Sequence, residues 1–227
     1  MRVLYEDNHI IIVNKAPSEI VQGDKTGDVP LSEMVKSYLK AKYDKPGNVF
    51  LGVTHRLDRP TSGIVLFAKT SKALTRLNTM FSQGQIRKTY HAIVSRMADT
   101  GATTLIHWLT RNEQQNKSYA HDKEVKNSKK AILTYRTIGQ GERYTLLEVE
   151  LHTGRHHQIR CQLAATGHVI KGDLKYGAAR SNPNGSISLH ARTLAFEHPV
   201  SHEQVEVTAP YPADDIWERL ISEKLHY

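Results

Sequence analysis

The sequence predicts an α+β fold built on a mixed, largely antiparallel sheet with flanking helices. Three observations lead there. Apolar runs with strand character come in blocks and do not alternate strictly with helical segments. Residues 131–138 and 144–151 are two such runs joined across Gly139 and Gly141, as in a hairpin. Helical periodicity is confined to a few short stretches. With 227 residues, 39% of them hydrophobic and 24% charged, such a chain can bury a core without disulfide or metal staples.

Residues 3–5 and 10–14 open the chain as strands, with Asp7 and Asn8 as the turn between them. After a loop rich in Gly and Asp, residues 30–43 read as a helix, because Leu31, Met34, Val35, Tyr38 and Leu39 recur on one face. Residues 51–55 read as a strand, a polar loop follows, and residues 64–69 read as a strand covered on both sides. Ser71 can cap a helix running to Phe81, with Leu74, Leu77 and Phe81 inward and Gly84 at its end. Residues 88–95 alternate as a strand. Residues 114–130 are polar and basic without periodicity, and read as a long functional loop or an extended hairpin. Residues 155–166 read as a helix ended by Gly167. Strands around 187–196 and 205–209 and a short helix over 215–223 complete the chain. No repeat or long linker interrupts it, and one domain spanning 1–227 is expected.

Composition narrows the partners. No apolar run approaches the roughly 20 residues of a membrane span, and the N-terminal residues lack the form of a secretory signal. The one cysteine, Cys161, lies in an apolar helical stretch and reads as a buried thiol. A cytoplasmic location and no membrane contact are the expectation. The charge of +8 is uneven: residues 29–196 hold 26 cations against 11 acids. That excess fits a polyanion partner, and it fits a solvated basic surface as well.

Three constellations can carry chemistry. In the first, His55-Arg56-Leu57-Asp58-Arg59-Pro60-Thr61-Ser62-Gly63, a carboxylate sits in a tight loop between two apolar strands with a cation on each side. Such neighbours favour the ionised carboxylate, each by on the order of 4 kcal/mol at about 4 Å and an effective dielectric of 20, before desolvation. The same cations can engage phosphates, and the segment is also simply a good turn. In the second, residues 151–160, Gly154 breaks a strand and Arg155 opens a helix whose first amides can face an anion. Of its three histidines, His152 precedes Gly154 and lies outside the helix, so helical i, i+4 ligand geometry fails; no carboxylate stands nearby, and no metal is expected. In the third, Lys88 and Tyr90 share one face of a strand, where a phenol can stack on a base while the cation meets phosphate. An ordinary half-buried tyrosine reads the same way. Serine-nucleophile, P-loop and dinucleotide-binding signatures are missing, and no cofactor is expected.

Taken in order, these segments resemble the RluA-type pseudouridine synthases. The resemblance rests on HRLDRPTSGIVLFAKT, then RKTYHAIV, then LHTGRHHQIRCQLAATGHVIKGDLKYG, and LHARTLAFEHP at 189–199, with NKAPSEIVQGDKTGD similar to the family's first motif. It covers about residues 1–212. The resemblance implies the pseudouridine synthase fold, with helices and loops forming an RNA-binding cleft, and isomerisation of uridine in structured ribosomal or transfer RNA. It makes Asp58 the catalytic aspartate, Tyr90 the ring that stacks on the target uracil, and Arg160 the basic residue paired with the aspartate. Arg56 then occupies the space left by the flipped base, and Leu189 lines the uracil pocket. His55, Arg59, Lys88 and Arg155 complete the expected RNA contacts. The first motif usually carries a glycine where this chain has Ser18 or Glu19, which implies a differently shaped loop. No separate N-terminal RNA-binding module is expected, and a monomer is favoured. The alternative is a non-catalytic RNA-binding protein that keeps the fold; it could dispense with Asp58, Tyr90 and Arg160, and all three are present.

Overall fold

The computed structural model describes residues 1–95, 97 and 101–222. Strands β1 (Arg2–Glu6) and β2 (Ile10–Lys15) precede helix α1 (Leu31–Lys42), the short β3 (Gly52–Val53), β4 (Ser62–Ala68) and helix α2 (Ser71–Ser82). Five strands follow: β5 (Arg87–Ser95), β6 (Thr103–Asn112), β7 (Lys117–His121), β8 (Lys129–Gln140) and β9 (Tyr144–Leu151). Helix α3 (Gln158–Ala165), β10 (Leu189–Glu197), β11 (Gln204–Thr208) and helix α4 (Ile216–Ser222) complete the order. The expected α+β class holds, and the registered pairs are antiparallel. Contacts divide the chain into two compact units. One is Met1–Ile86 with Ala191–Pro210; the other is Arg87–His190 with the described residues from Tyr211 onward.

In the first unit β2 pairs with β1 and β4, β3 pairs with β4, and β11 pairs with β10. All seven residues of β4 are buried, as its unbroken apolar run requires of a strand covered on both faces. Ile10, Ile12, Ile64, Leu66, Leu77 and Phe196 form its main core. Gly63, at φ +115°, is the second residue of β4, where a Cβ would lie 2.3 Å from the Ala191 carbonyl oxygen, so only glycine fits. The cap of α2 is Thr70, not Ser71: the Thr70 side chain accepts the Ala73 amide. β3 is shorter than residues 51–55, because only two residues find ladder partners. Glu6, 6% exposed at its side chain, accepts from Lys42 and Lys69 at 2.7 and 2.9 Å and from the hydroxyls of Tyr38 and Tyr43. Burial works to raise its pKa, but these four donors outweigh it and hold the carboxyl at about 2.

The second unit runs β5–β9–β8–β6–β7 across its sheet. Cross-strand rows define its two faces. Tyr90, Val149 and Tyr135 form one row, and Lys88, Leu151 and Leu133 the next row on the same side. Helix α3 covers this side, with Cys161 packing on Leu109 and Ala131. On the opposite side, Trp217 and Leu220 of α4 pack on Ile93 and Leu146. Residues 114–130 resolve as the extended-hairpin alternative: β7 folds back on β6, a ten-residue strand that the sequence did not mark. Helix α3 starts at Gln158, not Arg155. The Gln158 side chain accepts from the Arg155 amide and the Thr153 hydroxyl and donates to the Ile132 carbonyl, which holds the preceding residues off the helix. The expected terminal helix appears as α4, and Glu223 lies outside the described residues.

Candidate active site

Asp58 sits in the loop between β3 and β4 of the first unit. Its carbonyl accepts the Thr61 amide at 3.0 Å, which closes the turn that the Pro-Thr-Ser-Gly sequence favours. Asp58 and Arg59 are partly exposed, Leu57 anchors the loop in the core and Arg56 is exposed. His55 accepts the Leu66 amide on Nε2 at 3.0 Å, so its ring proton sits on Nδ1, and the ring lies against Phe81. Arg59 turns its guanidinium toward Asp28 at 2.7 Å and Asp24 at 3.9 Å, acids of the NKAPSEIVQGDKTGD segment.

The cation under this loop is Lys15, which sequence reasoning missed. It is 1% exposed, and its Nζ donates to the carbonyls of Ala16 and Arg59 at 2.9 and 3.0 Å. Burial pulls its pKa down to about 8, against the attraction of Glu19 and Asp58. The available signal was a lysine closing the strand Ile10–Lys15 just after its apolar run of Ile10, Ile11, Ile12 and Val13. Ser18 adds a second tie, its amide donating to the Arg59 carbonyl at 2.9 Å. Ser18 adopts φ +74°, the left-handed conformation that suits glycine. Serine thus holds a left-handed position at this turn of the loop.

The second unit carries Tyr90, Lys88, Arg160, Arg155 and Leu189. Lys88 and Tyr90 share the face of β5 that lies on the α3 side, as the alternation predicts. Tyr90 is buried, 9% exposed. Desolvation lowers the pKa of half-buried Lys88. A Cβ on Gly154 would lie 3.3 Å from the Lys88 Nζ, so the ammonium rests against the glycine of the second constellation. Leu189, 4% exposed, opens β10. Arg155 is exposed, and its Nε donates to the Lys130 carbonyl at 3.0 Å.

Arg160 is 5% exposed and held from several sides. Its Nε and Nη2 donate to the two carboxylate oxygens of Asp173, at 2.7 and 2.8 Å. That bidentate fork fixes the plane of the guanidinium as well as its position. Nη1 lies 3.1 Å from His157 Nε2; a guanidinium only donates, so the His157 proton sits on Nδ1 and reaches the Tyr176 hydroxyl at 3.0 Å. That oxygen also accepts the Ser118 amide at 2.9 Å, and the guanidinium lies 5.1 Å from the Tyr176 ring centroid. Burial raises the Tyr176 pKa, so the hydroxyl stays neutral. His157 itself sits at φ +52°, a strained N-cap pinned by these bonds and by stacking on His156 at 3.8 Å. Asp173, 1% exposed, was not singled out from sequence, although it lies in the GDLKYG stretch of a matched segment.

Three histidines of the second constellation are thus committed to Thr134, Ser118 and Tyr176, and no group of three metal-type side chains occurs among the described residues. Burial pushes the Cys161 thiol up to about 11, the inert thiol expected.

Comparisons with known proteins give the family and the fold. A family model described as RNA pseudouridylate synthase matches residues 9–165. An uncharacterized RNA pseudouridine synthase of Mycobacterium bovis is 33% identical over 220 residues, covering 94% of this chain and 70% of the relative. Ribosomal large subunit pseudouridine synthase D of Xanthomonas campestris pv. campestris is 32% identical, covering 94% and 67%. tRNA pseudouridine synthase C of Yersinia pestis is 31% identical, covering 98% and 90%. Among solved structures, human RNA pseudouridylate synthase domain containing 4 matches with a TM-score of 0.76 at 20% identity, covering 99% of this chain and 92% of that one, a likeness of fold.

Proposed function

From the premise that this chain belongs to the RluA family of RNA pseudouridine synthases, we propose that it isomerises uridine in structured ribosomal or transfer RNA with Asp58 as the essential carboxylate. The observation that carries the assignment is the Asp58 turn itself. A partly exposed carboxylate projects from a segment whose backbone is tied down at Thr61, Ser18 and Lys15, so the group is held without waiting for substrate.

The reaction asks for little else. The glycosidic carbon–nitrogen bond breaks, the uracil turns in place, and the sugar bonds to a ring carbon, so all the atoms come from the nucleoside. Tyr90 is the platform on which the uracil stacks, and Leu189 supplies an apolar wall. Arg160 is the basic residue that the resemblance pairs with the aspartate; the Asp173 fork keeps its guanidinium oriented before substrate arrives. Unstacking the target base costs a few kcal/mol, which Arg56 offsets by filling its place. His55, Arg59, Lys88 and Arg155 contribute to the contacts with RNA. The enzyme works in the cytoplasm; in support, its one thiol is buried and inert, and no described helix is long and apolar enough to cross a membrane.

Asp58→Asn tests the assignment. Incubated with total RNA and mapped chemically for pseudouridine, the variant loses on the order of 10³-fold or more in turnover. Equal product from both chains, or free uracil in place of pseudouridine, rejects it.

A further inference from the structure

The second unit has a surface that the Asp58, Tyr90 and Arg160 assignments leave unused. On the side of its sheet away from α3, helix α4 covers only one end, through Trp217 and Leu220. At the other end the rows pair Ile106 with Ile132, Trp108 with both Lys130 and His121, and Thr110 with Tyr119. Ile106 is 47% exposed and Tyr119 40%, and Trp108 is half-buried. Trp108 and Tyr119 are diagonal neighbours on adjacent strands, a separation of about 7–8 Å. Lys130 places its ammonium 5.8 Å from the Trp108 ring centroid, and Lys117 places its own 5.5 Å from that of Tyr119. Arg155, bonded to the Lys130 carbonyl, brings a further guanidinium to this edge.

An apolar strip this open calls for an occupant, and its charge selects one. Residues 111–136 carry seven Lys and Arg against three acids, so an anionic partner is favoured over a second copy of the same basic surface. Flat rings flanked by ammonium groups on an open sheet suit unpaired nucleotides: bases stack on the rings while phosphates meet the cations. A rigid duplex hides its base faces and cannot use the rings.

We infer that Trp108, Tyr119, Ile106, Ile132, Lys117 and Lys130 form a second RNA-binding surface, which holds single-stranded nucleotides of the substrate outside the target uridine. The inference rests on the reading that the substrate is RNA; its test needs no product and so stands apart from the Asp58 assignment.

The test uses the full chain with a single-stranded oligouridine, and the same strand in duplex as comparator. Trp217 is 2% exposed, so fluorescence quenchable by acrylamide comes from Trp108. Oligouridine shields that emission and duplex does not. Trp108→Val and Tyr119→Val, which keep strand-forming residues, each weaken oligouridine binding about tenfold. Tyr119→Phe retains it, since the ring remains, and Lys130→Gln lowers the slope of log affinity against log salt by about 0.7. Val29→Ala, an exposed apolar position in the first unit, leaves binding as it was. Unchanged oligouridine affinity in both valine variants overturns the inference. Self-association of the RNA-free chain that Trp108→Val abolishes also overturns it, by assigning the strip to a second copy.

Discussion

The surroundings of Asp58 and of Arg160 solve the same problem by different means. Around Asp58 the side chain is left partly exposed and the backbone is restrained: the carbonyls of Asp58 and Arg59 accept bonds from Thr61, Ser18 and Lys15. Around Arg160 the side chain is restrained. Both edges of the guanidinium are bonded, to Asp173 and His157, and its face lies against Tyr176. A short carboxylate has few rotamers and is positioned once its backbone is fixed. A long guanidinium side chain carries about 2 kcal/mol of rotamer entropy, so it must be gripped at its far end. The contrast teaches that a site can be preorganised from sequence-local turns where side chains are short and needs distant partners where they are long.

The largest expected effect strikes the side-chain restraint. Asp173→Asn leaves the Arg160 charge buried beside a neutral partner and costs about 3–5 kcal/mol in urea or guanidinium unfolding, with turnover lost alongside. A loss below about 1 kcal/mol would show that the fork does not hold Arg160 and would break the comparison.

Next comes the ammonium under the Asp58 loop. The folded pKa of Lys15, about 8, lies below its ordinary value near 10.5, so the unfolded chain binds this proton more tightly. Stability therefore rises with pH from about 8 to about 10.5, by roughly 3 kcal/mol for this group, and below pH 8 the buried charge is a standing cost. Cys161 and Tyr176, whose pKa values burial raises, act in the opposite sense, so the measurement is the difference between wild type and Lys15→Met across pH 7.5–10.5. Parallel curves would place the Lys15 proton elsewhere.

The smallest effect concerns the other backbone tie. Ser18 at φ +74° pays a left-handed penalty that glycine avoids, so Ser18→Gly stabilises the fold by about 1 kcal/mol in thermal or urea unfolding. Destabilisation would mean that the serine side chain, not the turn, secures the loop.

Much of the fold was legible because it depends on local pattern. The unbroken apolar run of β4, the alternation of β5 and the periodicity of α1 each place their element to within a residue or two. β6 and β7 were not legible: Thr103–Asn112 mixes polar and apolar residues because half of one face stays open, and Lys117–His121 owes its strand state to its partner. The start of α3 was misplaced because Gln158 reaches across to Ile132, and no local pattern records that bond.

The candidate site divides along the same line. Asp58, Tyr90 and Arg160 are picked out by the family resemblance, because the motifs that carry it are runs of consecutive residues. Lys15 and Asp173 do not, because what sets them apart is burial, at 1% exposure each, and burial is a property of distant neighbours. Sequence by itself determined which chemical groups are present and the short turns that carry them. Tertiary structure alone decided which charges lose their water and which partner grips each one, because desolvation and side-chain bonding depend on residues far apart in the chain.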